Sequence, residues 1–439
     1  MKKILITTLG CKVNQFESAS FRCGFEQAGC VLVEAHETAD AVIINTCAVT
    51  AKAGAQSRQA IRQALRHNPE ARIIITGCYA EIAAAELADL PELALRSFSI
   101  IGNSQKHLLV TSTLQAEDAL PDQLLGDIAT ASDICRLPVR RFTEKTRAFL
   151  RVQDGCDSFC TYCIVPYTRG RSRSLPAAEV LEQARIFALE GHKEIVLTGI
   201  HLGHYGRDLP EGPEIAGLLD MLSTSLPTTR FRISSIEPIE INEHLLTLIS
   251  SRDNLMPHLH IPLQSGDDEI LSSMNRRYTT RRFAEIIALC RQHLPEAAIG
   301  IDIMVGFPGE TNAHFLRTRE FIAKLDCTYL HVFPYSERPG TRAATFRGKV
   351  AKAEKTRRVA DLLALGEEKK SAFYARQLHR KLPVLVESQR SADGLLRGFT
   401  DNYVPVSFAG PDSLMDSVIL VELKEQCAAG ILGEVADTR

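Results

Sequence analysis

The sequence predicts an α/β protein of three units: an N-terminal doubly wound parallel sheet, a central partial (β/α)6 barrel and a small C-terminal β-barrel. Three observations predict it. Short β-branched runs alternate with helix-length amphipathic stretches up to about residue 135, the pattern of a parallel sheet covered on both faces. Six further strand-like runs alternate with helical ones between 142 and 375. Beyond Leu382 the helical pattern stops, and five short strands separated by turns take its place. The length of 439 residues fits this count, since a domain takes roughly 150 residues. With 45% hydrophobic and 24% charged residues, the composition excludes a disordered or fibrous chain.

The first unit is expected over residues 1–135, with strands at Lys3 to Leu9, Ala41 to Asn45, Arg72 to Thr76 and Ser97 to Ile101. Three of these runs lead into a cysteine: Cys11 after Leu9-Gly10, Cys47 after Asn45-Thr46 and Cys78 after Thr76-Gly77. In open α/β sheets the carboxyl ends of the strands form the ligand-binding crest, so these distant thiols are expected to converge. Cys23, inside a helical stretch, and Cys30, opening a strand at the opposite edge, read as structural. The segment Ala116 to Glu144 has little periodicity and reads as a linker.

The second unit is expected over 142–375, with strands at Phe149 to Gln153, Glu194 to Thr198, Arg230 to Ser234, His258 to Leu263, Ala298 to Gly306 and Tyr329 to Pro334. Ser174 is placed to cap a helix that has Pro176 in its first turn and Gly191 past its end. Chemistry in such a barrel sits at the strand C-termini. Lys349 to Arg380 reads as a long basic helix leading into the third unit, 378–439. Its five strands suit a small barrel of the kind used to hold RNA.

The net charge is only -2, yet the basic residues cluster. Arg140 to Ser174 holds eight basic residues against three acidic ones, and Arg338 to Lys381 thirteen against four. A polyanion is expected to bind there, the plain alternative being solvated helix faces. No apolar run approaches the roughly 18 residues of a bilayer span, so no membrane contact is expected. The start Met1-Lys2-Lys3 imitates a secretory signal, but Thr7 and Thr8 break the apolar stretch and it reads as a strand. Twelve cysteines in such a chain point to reduced thiols, metal ligands or redox groups, and to the cytoplasm.

The strongest motif is Gly155-Cys156-Asp157-Ser158-Phe159-Cys160-Thr161-Tyr162-Cys163, a C-x3-C-x2-C loop just after the first barrel strand. Three close thiolates can hold three irons of a 4Fe-4S cluster and leave the fourth open to a small molecule. Structural zinc is the alternative, but it takes four ligands and usually paired cysteines.

This loop, through Arg173, resembles the radical S-adenosylmethionine methylthiotransferase family. So do Leu9 to Ser18, Asn45 to Thr50, Gly77 to Ala80, Leu197-Thr198-Gly199, Pro262 to Gly266, Met274 to Tyr278 and Val305 to Thr311, in family order over nearly the whole chain. The C-terminal barrel is similar to a TRAM domain. The resemblance implies two 4Fe-4S clusters. Cys156, Cys160 and Cys163 are implied to hold the cluster that binds S-adenosylmethionine and cleaves it to a 5′-deoxyadenosyl radical. Cys11, Cys47 and Cys78 are implied to hold an auxiliary cluster whose open iron carries the sulfur. Radical chemistry suits the target, because an aromatic C-H is neither acidic nor electrophilic enough for a side chain to activate. Gly199, Gln264, Gly306 and Gly309 are expected S-adenosylmethionine contacts at successive strand ends, where glycine permits close backbone approach; ordinary turn glycines are the alternative.

Lys12-Val13 and Glu17 look like the subgroup acting on N6-threonylcarbamoyladenosine in the anticodon stem-loop of tRNA, and Ile200-His201-Leu202-Gly203 points the same way. The other family substrates are isopentenyladenosine in tRNA and a ribosomal-protein aspartate, and a zinc-stabilised RNA-binding module without catalysis is the non-enzymatic alternative. An electron donor such as flavodoxin or ferredoxin is an expected partner. His258 and His260 share a strand face but lack a third ligand nearby in sequence, so a metal is not expected there. His201 and His204 are candidates for touching substrate. Arg169, Arg171 and Arg173 are placed either on phosphate or cofactor or in solvent. Cys135, Cys290, Cys327 and Cys427 read as core thiols. The cobalamin motif Asp-x-His-x-x-Gly, Gly-x-Gly-x-x-Gly and a Walker loop are all absent from the sequence.

Overall fold

The computed structural model describes residues 1–93, 97–115, 123–143 and 145–436. The N-terminal unit is a six-stranded parallel sheet built from β1 (Lys3–Thr8), β2 (Val31–Leu32), β3 (Ala41–Thr46), β4 (Arg72–Gly77), β5 (Phe98–Ile101) and β6 (Gln123–Leu124), in the order β2-β1-β3-β4-β5-β6. Every residue of β3 and β4 is buried, as expected of central parallel strands covered on both faces. Helices α1 (Lys12–Gln27), α2 (Ala51–His67) and α3 (Cys78–Ile82) each begin just past a strand end.

The segment read as a linker is more structured than expected. Gln123–Leu124 pairs with β5 as the outermost strand, and Ile134, Leu137, Val139 and Phe142 are buried in the main hydrophobic core. A two-residue strand and an irregular strap carry no periodicity, which is why the pattern missed them. Residues 116–122 and Glu144 of this segment lie outside the described residues.

The central unit adds β7 (Arg147–Arg151), a short antiparallel pair β8 (Gln153–Asp154) and β9 (Arg173–Ser174), then β10 (Glu194–Thr198), β11 (Arg230–Ile233), β12 (His258–Gln264), β13 (Ala298–Val305) and β14 (Tyr329–Pro334). Two parallel sheets, β11-β10-β7 and β12-β13-β14, meet through bridges Phe231–Leu255 and Ser235–His260. The result is a six-stranded barrel left open between β7 and β14. Open edges invite unwanted pairing; here α1 packs on β7 and the helix Lys352–Gln377 packs on β14. Ser174 does not cap the following helix. It belongs to β9, its hydroxyl accepts a hydrogen bond from the Gly206 amide at 2.9 Å, and the helix Ala177–Leu189 starts after Pro176 without a side-chain cap.

The C-terminal unit is a closed barrel of β15 (Lys381–Arg390), β16 (Leu396–Thr400), β17 (Pro405–Phe408), β18 (Val418–Cys427) and β19 (Gly430–Val435), ordered β15-β16-β17-β19-β18. Its core includes Val384, Val386, Val406, Phe408, Val421 and Ile431. It docks on the central barrel through Arg147, which donates to Glu387 at 2.8 Å, and Arg232, which donates to the Asp401 carbonyl at 2.9 Å. Among the described residues no helix is long and apolar enough to cross a membrane.

A buried charge network joins the first two units. Glu17 of α1 accepts from Arg169 at 3.0 Å, from Asn45 at 3.2 Å and from Lys106, and it faces Arg151 at 3.7 Å. Arg169 also donates to both oxygens of Asp154 at 3.1 Å. Burial alone would raise the Glu17 carboxyl, but Arg169, Lys106 and Arg151 outweigh it and hold the pKa well below the usual carboxylate range. Stability from this group is therefore present above about pH 4 and is lost as pH falls through the lower, folded-state pKa. Glu17→Gln should cost about 3–5 kcal/mol at neutral pH, because it strands buried cations. The variant should also lack part of the acid-side loss of stability in urea melts run at several pH values; equal stability of the two proteins would refute this role.

Candidate active site

Three adjacent strands of the N-terminal sheet, β1, β3 and β4, bring Cys11, Cys47 and Cys78 to one edge. Cys11 precedes α1, Cys47 follows β3, and Cys78 opens α3. Gly10 and Gly77 make the approach possible. Both have positive φ, +97° and +96°, and a Cβ on Gly10 would lie 2.9 Å from the Cys47 sulfur, while one on Gly77 would lie 2.3 Å from the Thr46 carbonyl. Asn14 ties the loops together by donating to the Leu9 carbonyl at 2.7 Å and the Thr46 carbonyl at 3.0 Å. Ser57 holds Cys47, accepting from its amide at 3.2 Å and donating to its carbonyl at 3.1 Å.

The second trio lies in the loop after β8. The Cys156 amide donates to the Gly170 carbonyl at 3.0 Å, and the Cys163 amide to the Cys160 carbonyl at 3.0 Å. Arg276 donates to the Cys160 sulfur at 3.4 Å. The Cys156 sulfur lies 3.4 Å from His201 Nδ1, and the other ring nitrogen of His201 is 2.7 Å from Glu240. Thr161 anchors the loop to the Ser273 and Met274 carbonyls at 2.9 and 3.1 Å.

The two trios face a common interface. Ile164, next to Cys163, is buried in the same hydrophobic cluster as Cys78 and Tyr79. Arg169 reaches the first trio, donating from Nε to the Cys78 sulfur at 3.3 Å, while the adjacent Gly170 carbonyl holds Cys156 of the second. Arg169 and Arg173 are therefore buried structural residues, neither solvated nor free for phosphate; only Arg171 is exposed, paired with Asp157 at 3.3 Å. Glu17 and Asp154 together face Lys106, Arg151 and Arg169, which leaves a surplus positive charge beside the thiols.

Burial pushes the Cys47 thiol up to about 11 and raises Cys11, against the opposing pull of Arg169. Burial, then the neighbouring Cys160, takes Cys163 up to about 12. At Cys156 burial is outweighed by His201, and the thiol is lowered. Most of these groups would stay protonated at neutral pH without a cationic centre to bind them. A single zinc on three thiolates would bring the sulfurs to about 3.8 Å from one another. Among the described residues, the groups with all ligand atoms within 4.8 Å are His201–His204–Glu240 and His260–Asp302–His331, and neither holds a cysteine. The donor sets suit a wider, polynuclear body.

At the barrel crest, Ser234 Oγ, Gln264 Oε1 and Tyr335 Oη are buried without a hydrogen-bond partner, at the ends of β11, β12 and β14. Gln264 also has φ +68°, strain of the kind kept at functional sites. Gly199 packs against Gln153, and the loop from Gly306 to Gly309 is held by Glu310, which accepts from the Gly306 amide at 3.0 Å. A cavity of about 810 Å³ lies inside the open barrel, bordered by Lys12 of α1, Arg147, Arg232, His258, His260 and His331 of the barrel, and Phe399 and Tyr403 of the C-terminal unit.

Residues 150–322 match the radical SAM superfamily and residues 3–96 the family described as uncharacterized protein family UPF0004. The chain is 37% identical over 428 residues to threonylcarbamoyladenosine tRNA methylthiotransferase MtaB of Bacillus subtilis, covering 96% of this chain and 94% of the relative. The chain belongs to the methylthiotransferase family. The MtaB protein of Aquifex aeolicus is 36% identical over 93% of this chain and 97% of its own. The tRNA-2-methylthio-N(6)-dimethylallyladenosine synthase of Maricaulis maris is 31% identical over 100% and 98%. Among solved structures, the radical S-adenosylmethionine methyltransferase TsrM of Kitasatospora setae shares the fold, with a TM-score of 0.56 at 14% identity over 78% of this chain and 77% of that one. This methylthiotransferase is thus an enzyme that transfers methylthio groups, with S-adenosylmethionine and two 4Fe-4S clusters as its cofactors.

Several residues of the methylthiotransferase site escape a linear reading. Asp302 meets His260 at 2.7 Å and His331 at 3.4 Å only through strand pairing. Ser234 and Tyr335 carry one signal, their place just past a strand end. Arg276 carries only its place in the Met274 to Tyr278 segment, and Glu240 carries no signal. Gly77→Ala should lower stability by about 1–3 kcal/mol, the usual cost of forcing such a backbone conformation, and should reduce iron recovered on anaerobic purification. An unchanged melt and iron content would show that the strand end does not need glycine.

Proposed function

We propose that this methylthiotransferase inserts a methylthio group at C2 of N6-threonylcarbamoyladenosine, beside the anticodon of tRNA, giving the 2-methylthio derivative. The observation that carries the reading is the meeting of two cysteine trios at one interface, in a chain similar over nearly its full length to enzymes named for that substrate. Cys156, Cys160 and Cys163 would hold one cluster and Cys11, Cys47 and Cys78 the other. When bound, these groups and S-adenosylmethionine supply the hydrogen abstraction and the sulfur that no side chain offers.

The chain's own residues do the rest. His201 and Arg276 hydrogen-bond to the sulfurs of Cys156 and Cys160, contacts that tune a cluster. Arg169 offsets thiolate charge at the other trio. Gln264, with Ser234 and Tyr335, offers unpaired polar atoms to the amino acid or ribose groups of S-adenosylmethionine, and Gly199, Gly306 and Gly309 form the backbone around it. An anticodon-loop base, turned out of its stack, would enter the cavity against Phe399 and Tyr403. A small redox protein such as flavodoxin or ferredoxin would supply electrons, in the cytoplasm.

Anaerobically purified protein should be brown with about eight irons per chain, four for each 4Fe-4S cluster. Cys11→Ala, Cys47→Ala or Cys78→Ala should keep cleavage of S-adenosylmethionine and lose sulfur insertion, whereas Cys156→Ala, Cys160→Ala or Cys163→Ala should lose cleavage. An N-terminal variant that still thiomethylates would overturn the division of labour. Nucleoside mass spectrometry of tRNA from a deletion strain should show loss of the methylthio mark from threonylcarbamoyladenosine; its persistence, with no redundant enzyme present, would overturn the substrate assignment.

A further inference from the structure

Five Lys and Arg residues line the barrel cavity: Lys12, Lys145, Arg147, Arg232 and Lys370. Four have side-chain partners. Lys145 donates to Gln15 at 2.7 Å, Arg147 to Glu387 at 2.8 Å, Arg232 to Glu194 at 2.8 Å and Lys370 to Glu367 at 2.7 Å. Among the described residues Lys12 has no hydrogen-bond or ion-pair partner. It is also placed where a cation is disfavoured. Lys12 is the first residue of α1, at the positive end of the helix dipole, with no acidic residue in that turn, and its charged neighbours across the cavity include Arg232 and Arg147. The carboxylate that acts on it favourably, Glu194, is already engaged by Arg232, and an anion in the cavity would relieve the remaining repulsion.

We propose that Lys12 is a specificity-determining residue that pairs with the carboxylate of the threonylcarbamoyl group. The inference rests on the substrate reading above and deepens it. Chemistry fixes the position of such a residue. In adenine, C2 and the N6 substituent flank N1, so the group that reads the substituent must lie close to the group that delivers sulfur to C2. Lys12 directly follows Cys11, and the aromatic rings of Phe399 and Tyr403 on the cavity wall offer faces to the base. A neutral N6-alkyl adenosine would leave the ammonium unpaired in the cavity, and this penalty excludes it.

The test compares the reconstituted holoenzyme on two full-length tRNAs, one bearing threonylcarbamoyladenosine and one bearing the same group with its carboxylate converted to the neutral amide. Wild type should prefer the acid by about ten- to a hundred-fold in kcat/KM, mostly through KM, as one charge-assisted contact gives. Lys12→Met should lose that preference, and Lys12→Arg, which restores the charge, should recover most of it; a general folding defect would not move the ratio. An equal loss on both tRNAs in Lys12→Met would place the ammonium on a phosphate and overturn the inference, as would a preference that survives the substitution. Wild type that modifies neither tRNA, yet modifies isopentenyladenosine tRNA, would instead overturn the substrate reading.

Discussion

The structure depends on one buried constellation, in which Arg169 is gripped by Glu17 from the N-terminal sheet unit and Asp154 from the barrel loop. Carboxylates and guanidinium groups withdrawn from water are tolerable only when paired. Glu17 pairs with Lys106 and Asp154 with Arg151 inside their own units, and Arg169 joins the two pairs by bonding both carboxylates across the interface. The consequence is chemical: the same arginine that closes the interface reaches the Cys78 sulfur, and the next residue's carbonyl holds Cys156. Charge pairing across the interface fixes how the two cysteine trios lie relative to each other.

Burial of the thiols follows from that geometry and has its own cost. Packed against apolar side chains, Cys11, Cys47, Cys160 and Cys163 resist ionisation, whereas at Cys156 His201 and Glu240 supply a hydrogen-bonded chain that favours it. Sites of this type are poised to accept a cationic inorganic body and are poor nucleophiles without it. The surplus cation in the Glu17 network complements the negative charge that thiolates would bring.

The cavity needs all three units. The barrel is open between β7 and β14, α1 brings Lys12 to one side, and the C-terminal barrel sets Phe399 and Tyr403 at another. Such a space can admit a base from outside, with Lys12, the neighbour of Cys11, on its wall. Arg147 and Arg232 serve as docking posts for the C-terminal barrel as well as lining residues, so the small domain is seated on the rim of the cavity it helps to form.

Much of this was legible in the residue order. Strand-ending cysteines after Gly10, Thr46 and Gly77, the spacing of Cys156, Cys160 and Cys163, and the alternation of strands with helices are local patterns, and local patterns determine element type and which residues reach a strand end. The sequence by itself therefore determined the three units and the two sets of thiols. Tertiary structure alone decided the fate of Arg169, which reads as one of three alternating surface arginines and is fully buried; it likewise turned the strap near Gln123 into a sixth strand and joined His260 to Asp302 and His331. Those outcomes turn on which charges meet across an interface and which strands lie side by side, and pairing between residues tens to more than a hundred positions apart leaves no periodic trace in the chain.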